Sequence, residues 1–255
     1  MVEKTCQVET VMRTEAVLSS AVLDVDGKLK KDPANAFLWM ERGLALAEQQ
    51  LMREAVEAFS KAISLDPFQG IFYRHRAHRY LSCWRFQDAC ADFTLASRII
   101  PENWDVWYHL GLSHYLLGEY EEAAQAYAVC YRLSPSDDKL IAVTDWYWMT
   151  LGRLGRREQA VELLKRIHDG MDYGGNLAYY KRLLFYKGEI VEGELLTGDQ
   201  LNIITQGYGL SNYYRLQGDS EKASEMIEKI LAAGDNSMWY AFGYLAAMVD
   251  KKRFA

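Results

Sequence analysis

The chain carries only four prolines in 255 residues, no long apolar run and no excess of basic charge. Each scarcity excludes something. A bilayer-spanning helix needs about 18 or more consecutive apolar residues, and no stretch provides them. The first residues, MVEKTCQVET, hold no apolar core of a signal peptide, so the expected location is cytoplasmic. With 29 basic against 35 acidic side chains the net charge is -6, which argues against nucleic acid and anionic membranes as partners, since both require a basic footprint. Cys6, Cys83, Cys90 and Cys130 show no C-x-x-C spacing and read as reduced thiols. No P-loop, G-x-S-x-G elbow or H-E-x-x-H helix occurs, and TQGYGLSN lacks the third glycine and the preceding strand of a dinucleotide site. The expectation is a protein without metal, cofactor or catalytic residues.

What is present is periodic. Pro33, Pro67, Pro101 and Pro135 lie 34 residues apart, and Ala21, Ala55, Ala89 and Ala123 keep the same step. Three units align without gaps, 36–67, 70–101 and 104–135. Their fourth positions hold Trp39, Tyr73 and Trp107, and their eighth Gly43, Ala77 and Gly111. Ala55, Ala89 and Ala123 follow, then Phe59, Phe93 and Tyr127, then Ala62, Ala96 and Cys130. Small residues at the eighth and twentieth positions let two antiparallel helices approach closely, while the large ones fill the space between units. Asn35, Asn103 and Asp137 stand where a side-chain oxygen caps the first helix, and the prolines terminate the second. The pattern resembles the tetratricopeptide repeat (TPR). The fold class it implies is all-α, an α-α superhelix (TPR solenoid) of about six helical hairpins with capping helices at both ends.

Beyond Pro135 the step breaks. Residues 141–172 read as a fourth repeat, with Trp148 where a small residue belongs and Ala160, Leu164 and Ile167 marking the second helix. Residues 174–198 read as a degenerate unit whose first helix ends near Gly188, with GEIVEGELL as a short second helix. Ala223, Ile227 and Ile230 mark another second helix, paired with a first helix bearing Leu210, Ser211 and Tyr214. The expected organisation is one superhelical domain over 1–255: an N-terminal cap in 1–35 with a helix at about 16–30, regular repeats in 36–135, irregular ones in 136–235, and a C-terminal capping helix in 236–255. That last helix, read over 236–250, exposes Met238, Trp239, Leu245 and Met248 unless the tail DKKRFA covers them, so a monomer or weak homodimer is expected. The layout is also similar to bacterial TPR lipoproteins that serve as adaptors, although no lipidation segment is present.

In arrays of this family the first helices line the concave surface. The resemblance therefore implies a groove bearing Arg74, His78, Asp105, Tyr108, Tyr115, Asp145, Met149, Arg153, Tyr208, Asn212, Arg215, Tyr240 and Tyr244. Aromatic rings with an amide and guanidinium groups suit a protein segment or peptide, and the region around Tyr208, Asn212, Arg215, Tyr240 and Tyr244 is the expected main site. The Lys and Asn clamp with which some modules hold a chaperone's terminal carboxylate is missing. Its positions carry Met40, Leu44, His75, Asp105 and His109 in one register, and Arg74, His78, His109, Ala142 and Trp146 in the next. Arg74, His75, Arg76, His78 and Arg79 form a dense basic run, read either as a face that receives acidic groups or as one paired with Asp88 and Asp92. The function expected is a non-catalytic protein- or peptide-binding scaffold or adaptor. The alternatives are a peptide or small-molecule sensor, or an enzyme using His109, Asp145 and His114 or the aromatics Trp146, Tyr147, Trp148, Tyr179, Tyr180, Phe185 and Tyr186.

Overall fold

The prolines and their flanking residues set the helix ends. In a computed structural model describing residues 17–196, 198–234 and 241–254, the first helices of the three regular repeats begin at Ala36, Gly70 and Trp104, as the alignment requires. Every regular element among the described residues is helical, and no helix there is long and apolar enough to cross a membrane. The chain divides into two compact units, Met1–Ser113 and His114–Ala255.

The first unit contains α1 (Ser20–Leu29), α2 (Ala36–Glu48), α3 (Met52–Leu65), α4 (Gly70–Ser82), α5 (Phe86–Ile99) and most of α6 (Trp104–Leu117). Asn35 caps α2 by accepting from the N–H groups of Phe37 and Leu38, and Asn103 does the same for Val106, whereas Gln69 provides no side-chain cap. The aromatic at the fourth position has a second role when it is tryptophan. Trp39 donates from Nε1 to the Pro33 carbonyl at 2.9 Å and Trp107 to that of Pro101 at 2.7 Å, tying each helix to the turn before it. Glycine at the eighth position is required by contact: a Cβ on Gly43 would lie 2.6 Å from the Phe59 ring. Ala55, Ala62, Ala77, Ala89, Phe93 and Ala96 are buried along the same seam.

The second unit holds α7 (Tyr120–Leu133), α8 (Asp137–Arg153), α9 (Arg157–Leu163), α10 (Leu177–Lys187), α11 (Gln200–Leu216), α12 (Ser220–Gly234) and α13 (Phe242–Phe254). Helix α8 starts four residues before the expected 141. Asp137 is therefore inside its first turn beside Asp138, where carboxylates favour the positive end of a helix, and Ser136 takes the cap position. Helix α9 is cut to seven residues and continues as a 3-10 turn, Leu164–Arg166, yet Ala160, Leu164 and Ile167 still bury as expected. Gly188, with φ 78°, closes α10, and GEIVEGELL forms only the 3-10 turn Glu192–Glu194. Helix α13 runs to Phe254, four residues past the expected end, because Asp250 and Arg253 of the supposed tail find partners inside the unit. Leu245 is fully buried by that packing; Met238 and Trp239 lie outside the described residues.

Candidate functional site

In the first unit, the basic run of α4 is divided among distinct tasks. Arg76 forks onto Asp92 of α5 at 2.7 and 2.8 Å and adds a bond to Ser60, much as Arg42 bonds Asp26 at 2.7 Å. Both join neighbouring helices. Asp88, the other carboxylate expected on this face, pairs instead with Arg85. Arg74 reaches Asp105 of α6 at 2.5 Å and touches His75. Arg79 differs: its Nη1 lies 3.7 Å from the Met52 sulfur, its Nη2 is against His78, and no carboxylate pairs with it among the described residues. Burial, then repulsion from Arg74, pulls its pKa down to about 10.

The imidazoles sit among rings. His75 stacks on Phe59 at 5.5 Å, His78 meets His109 edge-on at 4.7 Å, and His109 stacks on Phe93 at 5.6 Å. Tyr108 is buried against Trp104. Burial, then the charges of Arg74 and Arg79, lower His75 to about 4; burial, then His109, pushes His78 well below its ordinary value. Burial works to raise the Asp105 carboxyl, but His109 and Arg74 together outweigh it and hold the group well below the carboxylate range. The sign for stability follows. A folded-state pKa below that of the unfolded chain means that the unfolded chain binds protons first as pH falls. The thermal midpoint should therefore drop as pH is lowered from about 6.5 towards 4, and His75→Gln should flatten part of that slope. Melting curves over that window check it; identical slopes for wild type and variant would dismiss the assignment.

The second unit collects several groove candidates into one buried network. The Tyr115 and Tyr208 hydroxyls are 2.9 Å apart, and Asn212 Oδ1 accepts from Tyr115 at 3.1 Å and from Arg153 Nε at 2.9 Å. Asn212 donates in turn to the Tyr208 carbonyl at 2.9 Å. Asp250 of α13 closes the network, accepting from Tyr208 at 3.0 Å and from Arg153 Nη2. The amide thus both donates and accepts, but its partners are the protein's own. Asp145 is bound to Arg182 of α10, which also donates to the Thr205 carbonyl at 2.6 Å. Tyr244 is half-buried against Gly234, and Tyr240 lies outside the described residues. Asp250 and Arg182 escaped sequence reasoning, since an Asp opening a charged tail and an Arg on an amphipathic helix both read as solvated.

Arg215 stands apart from the network. It is half-exposed and lies over the Phe254 ring at 3.9 Å, and burial followed by the charge of Arg153 lowers its pKa. With Tyr120, Met149, Gly152, Arg153, Asn212, Leu216 and Phe254 it lines a cavity of about 260 Å³. Of the aromatics that suggested a pocket elsewhere, Trp148 stacks on Tyr186 at 3.7 Å and Phe185 meets Tyr213 edge-on at 4.7 Å.

Antiparallel helix pairs on a 34-residue step, with glycine and alanine at the crossings, agree with the family comparison. A family model described as tetratricopeptide repeat matches residues 20–70 and 85–138. The chain carries tetratricopeptide repeats over these residues, which make up less than half of its length. Small glutamine-rich tetratricopeptide repeat-containing protein 2 of Mycosarcoma maydis is 31% identical over 86 residues, which is 34% of this chain and 24% of that protein. Hsp70-Hsp90 organizing protein of Triticum aestivum is 33% identical over 101 residues, 40% of this chain and 17% of its own length. The chain thus spans about a quarter or less of these relatives. Among solved structures, YrrB, described as a TPR protein with an unusual peptide-binding site, superposes with a TM-score of 0.56 at 17% identity, covering 91% of this chain and all of that one. MamA gives 0.54 at 21% identity, over 69% and 92% of the two chains. Both likenesses concern the fold.

Proposed function

We propose that this TPR protein is a non-catalytic, cytoplasmic scaffold that binds an acidic segment of another protein on the face of α4 and α6 in the first unit. Arg79 carries the reading. It is a half-buried guanidinium with no carboxylate partner among the described residues, beside Arg74 and two imidazoles that burial keeps neutral. An incoming Asp or Glu supplies the missing charge and gains a charge-assisted bond in a partly dry setting. A protein as the ligand accords with the relative named for organising Hsp70 and Hsp90, although the clamp positions tested above are filled differently here. The absence of catalysis in this reading rests on the candidate acid and base groups being engaged: Asp145 with Arg182, His109 with Asp105, and His114 with Glu119.

Cross-linking with mass spectrometry identifies the partner segment, and calorimetry with that segment tests the site. Arg79→Ala should weaken binding by about 1.5–3 kcal/mol, the value of a hydrogen bond to a charged group. Lys61→Ala, on the exposed surface of α3, serves as control. Wild-type affinity in Arg79→Ala would reject the α4 face as the docking surface.

A further inference from the structure

We propose that the cavity lined by α8, α11 and α13 is a binding site for a monocarboxylate whose apolar body rests on Phe254, Met149 and Leu216. The site is separate from the α4 face, and neither proposal depends on the other.

Arg153 of α8 lines this cavity. Its side chain is only 5% exposed, its Nε is bonded to Asn212 and its Nη2 to Asp250, yet Nη1 is buried without a hydrogen-bond partner. A guanidinium that has lost water at one nitrogen and gained nothing there carries a desolvation cost, which a ligand oxygen removes once a small rotation of Arg153 turns that nitrogen to the cavity. Arg215, one turn beyond Asn212 on α11, lines the same cavity and forms no ion pair among the described residues; its contact is with the Phe254 ring. None of the described residues lining the cavity is acidic.

Charge and shape narrow the ligand. Asp250 pairs with Arg153 and also acts on Arg215, so the two guanidinium charges of the lining face one carboxylate, and a monoanion balances the site where a phosphate dianion exceeds it. Two guanidinium groups favour a planar carboxylate, which can accept from both at once. The remaining wall is Tyr120, Met149, Leu216 and Phe254, so the carbon body of the ligand is apolar. At about 260 Å³ the space is smaller than the roughly 300 Å³ at which drug-sized sites begin, which suits a fragment-sized ligand or one terminal residue of a peptide. The two sources share one chemistry, a carboxylate on an apolar group.

Calorimetry on the full chain tests the proposal with benzoate, benzamide, inorganic phosphate, and acetyl-alanyl-phenylalanine as free acid and as amide. Both carboxylates should bind at millimolar concentration, while their uncharged amides and phosphate should not. Arg215→Gln should weaken carboxylate binding about tenfold or more, with Arg215→Lys intermediate because it keeps the charge and loses the fork. Tighter binding of the dipeptide assigns the site to a peptide terminus, and tighter binding of benzoate assigns it to a free small molecule. The proposal is overturned if neither carboxylate binds, if benzamide or phosphate binds as well as benzoate, or if Arg215→Gln retains wild-type affinity. The wild-type comparison of acid with amide decides the matter even where a variant fails to fold. Loss of binding here with an intact partner complex at α4 rejects the cavity alone.

Discussion

Asp145→Ala is expected to cost about 3–5 kcal/mol of stability, the cost of leaving one member of a buried ion pair without its partner. Asp145 is fully buried and Arg182 is 1% exposed, so the orphaned guanidinium has no route to water without moving α10. Nor does α11 leave it space: a Cβ on Gly209 would already run into the Arg182 side chain, so the arginine is gripped between α8 and α11. The double replacement Asp145→Leu with Arg182→Met should recover most of the loss, because an apolar pair of similar volume often matches a buried ion pair. Urea denaturation followed by circular dichroism measures both variants. A loss below about 1 kcal/mol in Asp145→Ala, the range of exposed pairs, would mean that the pair is solvated.

Asp250→Ala is expected to cost a similar 3–5 kcal/mol, since it strips the buried Arg153 of its carboxylate and Tyr208 of an acceptor at the same time. The effect should centre on α13. That helix is held to the second unit by Asp250 and by Arg253, which donates to the Leu116 carbonyl at 3.1 Å and to the Tyr120 hydroxyl at 2.7 Å. Hydrogen exchange should accelerate over Phe242–Phe254 more than over α7, and Asp250→Asn, which keeps an acceptor but no charge, should fall between. Uniform acceleration across the second unit would show that the network supports the whole unit and not the attachment of one helix.

The regular repeats were legible because their determinants are local. A small residue at a crossing, an Asn before a helix and a proline after one act through neighbours within a few residues, so the starts at Ala36, Gly70 and Trp104 follow from spacing alone. The irregular half was legible only in its buried positions. Ala160, Leu164 and Ile167 bury in their expected order, but the length of α9 and the loss of the helix expected in GEIVEGELL depend on what packs against them.

The candidate site shows the same division more sharply. Residue type put Tyr115 and Arg153 among the groove residues and the main site around Tyr208, Asn212, Arg215, Tyr240 and Tyr244; the structure joins Tyr115, Arg153, Tyr208 and Asn212 in one buried network. Type could not reveal that Asp250, from a stretch that reads as a solvated tail, already occupies their polar atoms. The sequence by itself determined the repeat, the helix starts of the regular units and which faces bury, because a period of 34 residues and its punctuation act over short range. Only the tertiary structure decided which charges are compensated and which are not. Pairings such as Arg153 with Asp250 and Asp145 with Arg182 join residues 97 and 37 apart, and no local rule links positions at that distance. The same long-range accounting leaves Arg79 and Arg215 without an ion-paired carboxylate among the described residues.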